Sequence, residues 1–237
     1  MFSESIHFYI LTENKSMYEV EILEKFKNVP VFSLADASQL VKNRNYAKRV
    51  LASLLKKGKI RKIKRDLYTL HEDPFLVSNF IVRPSYISSI SALYFYKDIS
   101  QIPNEIHCFT NKTTKTFRFI LPIKYFHTNF FFGFKEVEYE NFKILIAERE
   151  KAIIDAIGKV PLYLIEEAVK NIDIEKMVSY VKKIGKSCIA KRVGYLLERN
   201  GKDVFNELKD LINKKFVYFD PITKGKRKNY KWWLVIW

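Results

Sequence analysis

Apolar positions ahead of Gly58 recur with the period of a helix, and polar residues interrupt the pattern once. Leu34–Leu40 carry a short apolar stripe behind Ser33, a residue type that commonly caps a helix N-terminus. The polar run Asn43–Asn45 favours a turn. The stripe then resumes and stops at Gly58, which suits the left-handed end of a helix. The apolar side of this second predicted helix comprises Tyr46, Val50, Leu51, Leu54 and Leu55.

After Gly58 the apolar period changes to two, which is typical of a strand. Ile60, Ile63 and Leu67 or Tyr68 are expected to face inward, and Arg65-Asp66 is expected to form a hairpin tip. The outward positions of this ribbon are Lys59, Arg61, Lys62, Lys64 and Arg65. Helix, turn, helix and ribbon in this order predict a winged helix-turn-helix, a module that reads DNA.

Charge supports that interpretation. Between Val41 and Arg65 there are eleven basic residues and no acidic one. If about six of them neutralise phosphates, the log-log salt slope of binding should be about −5. A solvated basic face on an ordinary helical domain is the alternative. The residues predicted to contact DNA are Ser33, Asn43, Arg44, Asn45, Tyr46, Lys48, Arg49, Lys56, Arg61, Lys62, Lys64 and Arg65.

The overall composition agrees with an anionic partner. The chain has 237 residues, 48% of them hydrophobic, and a net charge of +16. Nucleic acid is the commonest partner of so basic a chain, and a membrane surface is the competitor. The sequence has no apolar run near 18 residues, and Glu4 and His7 interrupt the N-terminus where a signal peptide would be apolar. A cytoplasmic protein with reduced Cys108 and Cys188 is therefore expected.

The rest of the chain predicts two domains of an α+β protein. Ser16–Glu19 form a capping box ahead of a helix, and the polar segment His71–Pro74 predicts a linker. The predicted domains are 1–72, the winged helix, and 73–237, a mixed sheet with a helical bundle on one side. Predicted helices of the second domain are Pro74–Val82, Ser85–Tyr96, 146–157, Pro161–Asn171, Asp173–Ile184, Lys186–Arg199 and Asp203–Lys214. Predicted strands are Glu105–Phe109, Lys115–Leu121, the aromatic run Tyr125–Phe134, Phe142–Ile146, Phe216–Phe219 and Lys231–Trp237.

Two features of the second domain admit a functional and a structural interpretation. Glu148, Glu150 and Asp155 lie at a predicted strand-to-helix junction, where a metal-dependent nuclease could keep ligands. Their spacing beside Arg149 and Lys151 favours ion pairs instead. No catalytic residue, metal or cofactor is therefore predicted. A second basic patch, Lys224, Lys226, Arg227 and Lys228, is either a solvated loop or a second DNA contact.

Short motifs in a fixed order run along most of the chain from about Ser33. They are Leu67-Tyr68-Thr69, Pro84–Leu93, Pro103–Ile106, Ile146–Asp155, Asp220-Pro221 and Trp232-Trp233. Together they resemble the AbiEi-type antitoxin family of transcriptional regulators. The resemblance implies a winged helix that binds operator DNA, with inverted repeats as one form of the operator, and a C-terminal antitoxin domain. Asp66 departs from the family pattern, which tends to place glycine at the wing tip.

Three hypotheses follow for the function. The first is a repressor of its own operon that counters a nucleotidyltransferase-like toxin, or a solitary regulator of the same build. The second is a nuclease delivered to DNA by the winged helix. The third is a module whose C-terminal domain holds a protein toxin.

Overall fold

The computed structural model describes residues 16–237, which form a mixed α+β protein divided into two compact units. The first unit runs up to Arg83 and includes Phe117–Pro122. The second unit comprises Pro84–Thr116 and Ile123–Trp237. In the described part of the chain, every helix is too short or too polar to cross a lipid bilayer.

Three helices and a three-stranded sheet make up most of the first unit. The helices are α1 (16–26), α2 (Leu34–Val41) and α3 (Arg44–Lys56), and α4 (Pro74–Ile81) follows the sheet. The strands β1 (Phe32–Ser33), β2 (Arg61–Lys64) and β3 (Leu67–Thr69) are ordered β1-β3-β2, and both pairs are antiparallel.

The apolar stripes predicted from the sequence form the core of this unit. Ile22 and Phe26 of α1 are buried, and the ring of Phe26 stacks on that of Phe32 at 4.1 Å. In the ribbon, Ile63 and Tyr68 are buried. Gly58 ends α3 with a φ of +66°, as predicted, because only a residue without a Cβ adopts that conformation without strain. The change from helix to strand after Gly58 is confirmed, but the predicted alternation is not strict, because Arg61 and Lys62 are both exposed and the pairing shifts between Lys62 and Lys64.

A six-stranded mixed sheet lies at the centre of the second unit. Its strands are β4 (Tyr86–Ile87), β5 (Ile106–Thr110), β6 (Lys115–Arg118), β7 (Pro122–His127), β8 (Phe134–Tyr139) and β9 (Phe142–Ala147). Their order is β6-β7-β5-β4-β9-β8. All five residues of β5 are buried, because helices and loops cover both faces of the sheet there. β4 lies next to β5 and pairs with β9 in parallel at Ile87 and Ile146.

Three predictions about this sheet were wrong. Ser85–Tyr96 is not one helix: Tyr86-Ile87 form β4, and α5 begins only at Ser89 (Ser89–Phe95). The turn residues Asn111–Thr114 predict that the strand Lys115–Leu121 returns beside Glu105–Phe109; the segment does form β6, but β7 and not β6 pairs with β5. The aromatic run is not a continuous strand, because 128–133 form a loop between β7 and β8. In each case contacts distant in sequence outweighed local preference.

The remaining helices of the second unit follow the sheet. They are α6 (Arg149–Ala156), α7 (Ile174–Ile184), α8 (Ser187–Arg199) and α9 (Phe205–Leu208). The predicted helix Pro161–Asn171 is instead two 3₁₀ segments, Leu162–Leu164 and Glu167–Asn171, and the predicted helix Asp203–Lys214 shortens to α9 and the 3₁₀ segment Lys209–Leu211. At Leu162 the backbone N–H donates to the Asp220 carboxylate at 3.0 Å, a tertiary contact that caps the start of the first 3₁₀ segment.

The tail forms a separate three-stranded sheet. β10 (Val217–Tyr218) pairs in parallel with β12 (Leu234–Ile236), which pairs antiparallel with β11 (Arg227–Asn229). β11 was not predicted. Its residues are basic and polar, so they carry no apolar alternation from which a strand could be read. The second basic patch therefore surrounds an edge strand and is not simply a loop.

Candidate nucleic-acid interface

The polar side of α3 is the most basic helix surface of the first unit. The side chain of Asn43 caps the helix by accepting the backbone N–H of Tyr46 at 2.9 Å. The ring of Tyr46 turns toward the core and meets Tyr18 edge to face at 5.8 Å. The opposite side of the helix is exposed and carries Arg44, Asn45, Lys48, Arg49, Ala52 and Lys56.

The start of α3 and the tip of the β2–β3 hairpin meet. Arg44 Nη2 lies 3.6 Å from Asp66 Oδ2. The carbonyl of Asp66 accepts the backbone N–H of Leu34 at 3.0 Å, which ties the tip to the start of α2. Asp66 has a φ of 59°, a left-handed conformation that Asp tolerates better than most residues. Arg65, which precedes Asp66 in this tip, is exposed.

Some of the predicted contact residues already have partners within the first unit. Arg61 Nε donates to Glu72 Oε1 at 3.0 Å, and Lys64 Nζ donates to the carbonyl of Ile81 at 3.2 Å. Ser33 caps α2, since its hydroxyl accepts the N–H of Asp36 at 3.1 Å. Within residues 16–237, no ion pair engages the side chains of Lys48, Arg49, Lys56, Lys62 and Arg65.

The second basic patch belongs to the second unit. Lys224, Lys226, Arg227 and Lys228 are all exposed. Lys226 precedes β11 and donates its backbone N–H to the carbonyl of Ile236 at 3.0 Å. Two amines lie over aromatic rings: Lys224 Nζ is 5.8 Å from the Tyr218 ring centre, and Lys228 Nζ is 5.1 Å from that of Phe216.

The three carboxylates of the alternative nuclease site do not converge. Glu148 accepts Lys176 Nζ at 2.6 Å and also accepts the Tyr180 hydroxyl. Burial alone would raise the pKa of Glu148, but these two hydrogen bonds together with the charges of Lys176 and Lys135 outweigh burial and lower the pKa. Glu150 instead accepts the backbone N–H of Asp173 at 2.8 Å. Across residues 16–237, no three acidic, histidine or cysteine side chains cluster as metal ligands would.

Asp155, the third carboxylate, forms a buried ion pair with Lys151. Asp155 also accepts the hydroxyls of Ser88 at 2.8 Å and Tyr86 at 3.0 Å, and Lys151 Nζ donates to Tyr86 at 2.8 Å. Burial lowers the pKa of Lys151 and raises that of Asp155. The ion pair expected at this i,i+4 spacing is thus present, and it connects α6 to β4.

A hydroxyl–imidazole–carboxylate chain escaped the sequence analysis. The Ser89 hydroxyl lies 3.2 Å from His107 Nδ1, and His107 Nε2 lies 2.6 Å from Glu105, which pairs with Lys124. Ser89 and His107 are fully buried, so neither presents a reactive atom to solvent. Burial lowers the pKa of His107 despite the nearby carboxylate. The spacing of two between Glu105 and His107 is a signal in the sequence, because such residues share one face of a strand, but only the fold brings Ser89 of α5 beside His107.

No protein-family model matches the chain, and no curated protein is significantly similar to it. The resemblance described above therefore rests on the motifs alone. Two of those motifs touch in the second unit, because Tyr86 and Ser88 belong to the first and Lys151 and Asp155 to the second.

Proposed function

We propose that this chain is a sequence-specific DNA-binding repressor of the AbiEi antitoxin type. In this proposal α2 and α3 are a helix-turn-helix, α3 enters the major groove, and the β2–β3 hairpin is the wing. The operator is the DNA upstream of its own gene. The second unit is the antitoxin domain, and it counters a nucleotidyltransferase-like toxin encoded beside the repressor, directly or indirectly.

The observation that carries the proposal is the 3.6 Å contact between Arg44 and Asp66. It brings the N-terminal turn of α3 and the hairpin tip to one place, so their exposed basic side chains form one surface. Asn45 and Arg49 on this surface have the geometry that reads adenine and guanine edges, at about 1–3 kcal/mol of discrimination per bidentate contact. Lys48, Lys56 and Lys62 suit phosphates.

The hydrogen-bond partners that some of these residues have within the first unit indicate which residues should contribute most to DNA binding. Arg61 and Lys64 each already have a hydrogen-bond acceptor, so their contribution to phosphate binding is partly offset by the contact they give up. Ser33, Asn43 and Tyr46 support the geometry of the two helices, and only the exposed amide of Asn43 adjoins the basic surface. The strongest losses should therefore come from Asn45, Arg49 and the unpaired lysines.

The decisive experiment measures binding of the full chain to its own upstream DNA and to a scrambled duplex, over a salt series, with and without magnesium. We expect tight binding to the upstream duplex alone, with a log-log salt slope of about −5, and we expect the DNA to stay intact. Equal affinity for both duplexes would contradict a repressor. Cleavage of the DNA that requires magnesium would instead support the nuclease hypothesis.

Variants separate base reading from phosphate binding. Arg49→Ala should reduce the preference for the upstream duplex by about 5- to 150-fold, because it removes a base contact. Lys62→Ala should weaken both duplexes equally and reduce the slope by about 0.9. Lys25→Ala is the control, since it removes one exposed charge from α1 in the same unit. If Lys25→Ala weakens binding as much as Lys62→Ala, general charge and not the proposed surface is responsible.

A further inference from the structure

The outer face of the tail sheet carries aromatic and basic side chains. Residues paired across neighbouring strands point to the same face of a sheet. Tyr218 pairs with Val235, which pairs with Lys228, so these three side chains share one face. Leu234 and Ile236 of the central strand point the other way and are buried. The row through Tyr218 and Lys228 therefore faces solvent, which agrees with the exposure of both residues.

Three aromatic rings form a cluster at one end of this face. The ring centre of Phe216 lies 5.4 Å from that of Tyr230 and 5.0 Å from that of Trp233. Tyr230 is 66% exposed, although tyrosine normally buries much of its ring. Trp233 has a φ of 53°, an unusual conformation for so bulky a residue. Strain of this kind is often found where a protein binds a ligand.

The exposed charges of the tail segment itself are basic, and the carboxylates of Glu198 and Asp203 that lie beside it pair with Lys231. Lys214, Lys215, Lys226, Arg227 and Lys228 are exposed. Asp220 is the one acidic residue between Leu211 and Lys231, and it is 2% exposed. Its carboxylate accepts backbone N–H groups from within the unit, so it presents no acidic group to a partner at the surface. An anionic partner with flat apolar groups fits this combination.

We propose that this face binds single-stranded nucleic acid, with bases stacking on Tyr230 and its neighbouring rings. Unpaired bases expose their π-faces, and a duplex keeps them stacked inside. The lysines beside the rings would neutralise the phosphates of the same strand. This inference does not depend on duplex binding by the first unit, because it rests on a different sheet and different residues.

The test compares three 15-nucleotide probes in binding to the full chain: dT15, U15 and an abasic deoxyribose strand of equal length. The abasic strand has the same phosphates without bases, so it measures charge alone. We expect dT15 or U15 to bind at least about fivefold more tightly than the abasic strand, from the stacking of one base or more. The dT15 and U15 arms show which sugar the site prefers. Equal affinity for all three probes would overturn the proposal.

Variants locate the binding. Tyr230→Ala should weaken dT15 or U15 by about 5- to 150-fold and leave the abasic strand unchanged. Lys228→Ala should weaken all three probes and reduce the salt slope by about 0.7. Tyr163→Ala is the matched control, because Tyr163 is 58% exposed elsewhere in the second unit.

The first unit is tested separately with Arg49→Ala, which should not change binding of the single strand. The proposal fails if Tyr163→Ala acts like Tyr230→Ala, or if Arg49→Ala abolishes binding of the single strand. Loss of duplex binding in Arg49→Ala, with single-strand binding retained, would separate the two functions.

Discussion

Replacing Asp155 with asparagine should strongly destabilise the second unit. The side chains of Lys151 and Asp155 are 1% and 6% exposed, so solvent cannot replace either charge partner. Asp155→Asn keeps the shape and can still bond with Ser88 and Tyr86, but it leaves the Lys151 ammonium buried without an anion. Breaking a buried pair in this way costs about 3–5 kcal/mol. The free energy of unfolding of a typical domain is about 5–15 kcal/mol, so this loss is a large part of it.

The measurement is urea unfolding followed by tryptophan fluorescence. The three tryptophans, Trp232, Trp233 and Trp237, all lie in the second unit, so the signal reports on that unit alone. With an m-value of about 2 kcal/mol/M, the midpoint should fall by about 1.5–2.5 M. Glu136→Gln is the control, because it removes an exposed ion pair with Lys143 in the same unit and should leave the midpoint unchanged.

A double variant tests the reason for the loss. Lys151→Met with Asp155→Asn removes both charges. The methionine would lie among the rings that now surround the ammonium, with Phe109 at 5.8 Å and Phe132 at 5.7 Å from Nζ. We expect it to recover at least about 2 kcal/mol relative to Asp155→Asn, since replacing a buried pair by apolar groups is often neutral. A single variant within about 1 kcal/mol of the natural protein, or a double variant as unstable as the single, would refute the argument.

Three further predictions concern other parts of the chain. Asp66→Asn removes a carboxylate 3.6 Å from Arg44 while keeping a residue that tolerates positive φ, so it should strengthen duplex binding and steepen the salt slope; unchanged affinity in a gel-shift titration would contradict the proposed surface. Burial lowers the pKa of His107, so stability present above pH 6.5 should be lost as pH falls through the folded pKa, by at most about 1.4 kcal/mol per pH unit. His107→Gln should flatten the dependence of the free energy of unfolding on pH in that range. The prediction is wrong if this free energy changes with pH equally in the variant and in the natural protein. A Cβ at Gly194 would lie 2.1 Å from the buried ring of Trp232, so Gly194→Ala should destabilise the second unit by about 1–3 kcal/mol or more. A variant that melts at the same temperature as the natural protein would show that the ring can move.

Much of the first unit follows from the sequence because its contacts are close in sequence. The apolar period alone predicts α2, α3 and the ribbon, since helix and strand geometry fix which positions share a face. Ser33 and Gly58 mark helix ends for local reasons as well. The exposure of Arg49 and the other basic residues of α3 follows directly from the burial of its apolar side.

The partners of those residues depend on the tertiary structure. No pattern in the sequence pairs Arg61 with Glu72 or places Asp66 beside Arg44, because side-chain contacts across a turn depend on where the backbone brings two elements together. Those contacts decide which charges remain available to an anionic partner. The sequence thus determined that the surface is basic, and only the fold decided which of its residues are free within the described chain.

In the second unit the difference between what the sequence predicts and what only the tertiary structure decides is larger. Its helices α7 and α8 follow from local periodicity, but the strand order does not, because a strand takes its place in a sheet from contacts distant in sequence. β11 has no apolar alternation and forms because β12 offers it backbone partners. The sequence determined that the tail is aromatic and basic. Only the sheet placed Tyr218 and Lys228 on one face, since register and not spacing decides which side chains of different strands are neighbours.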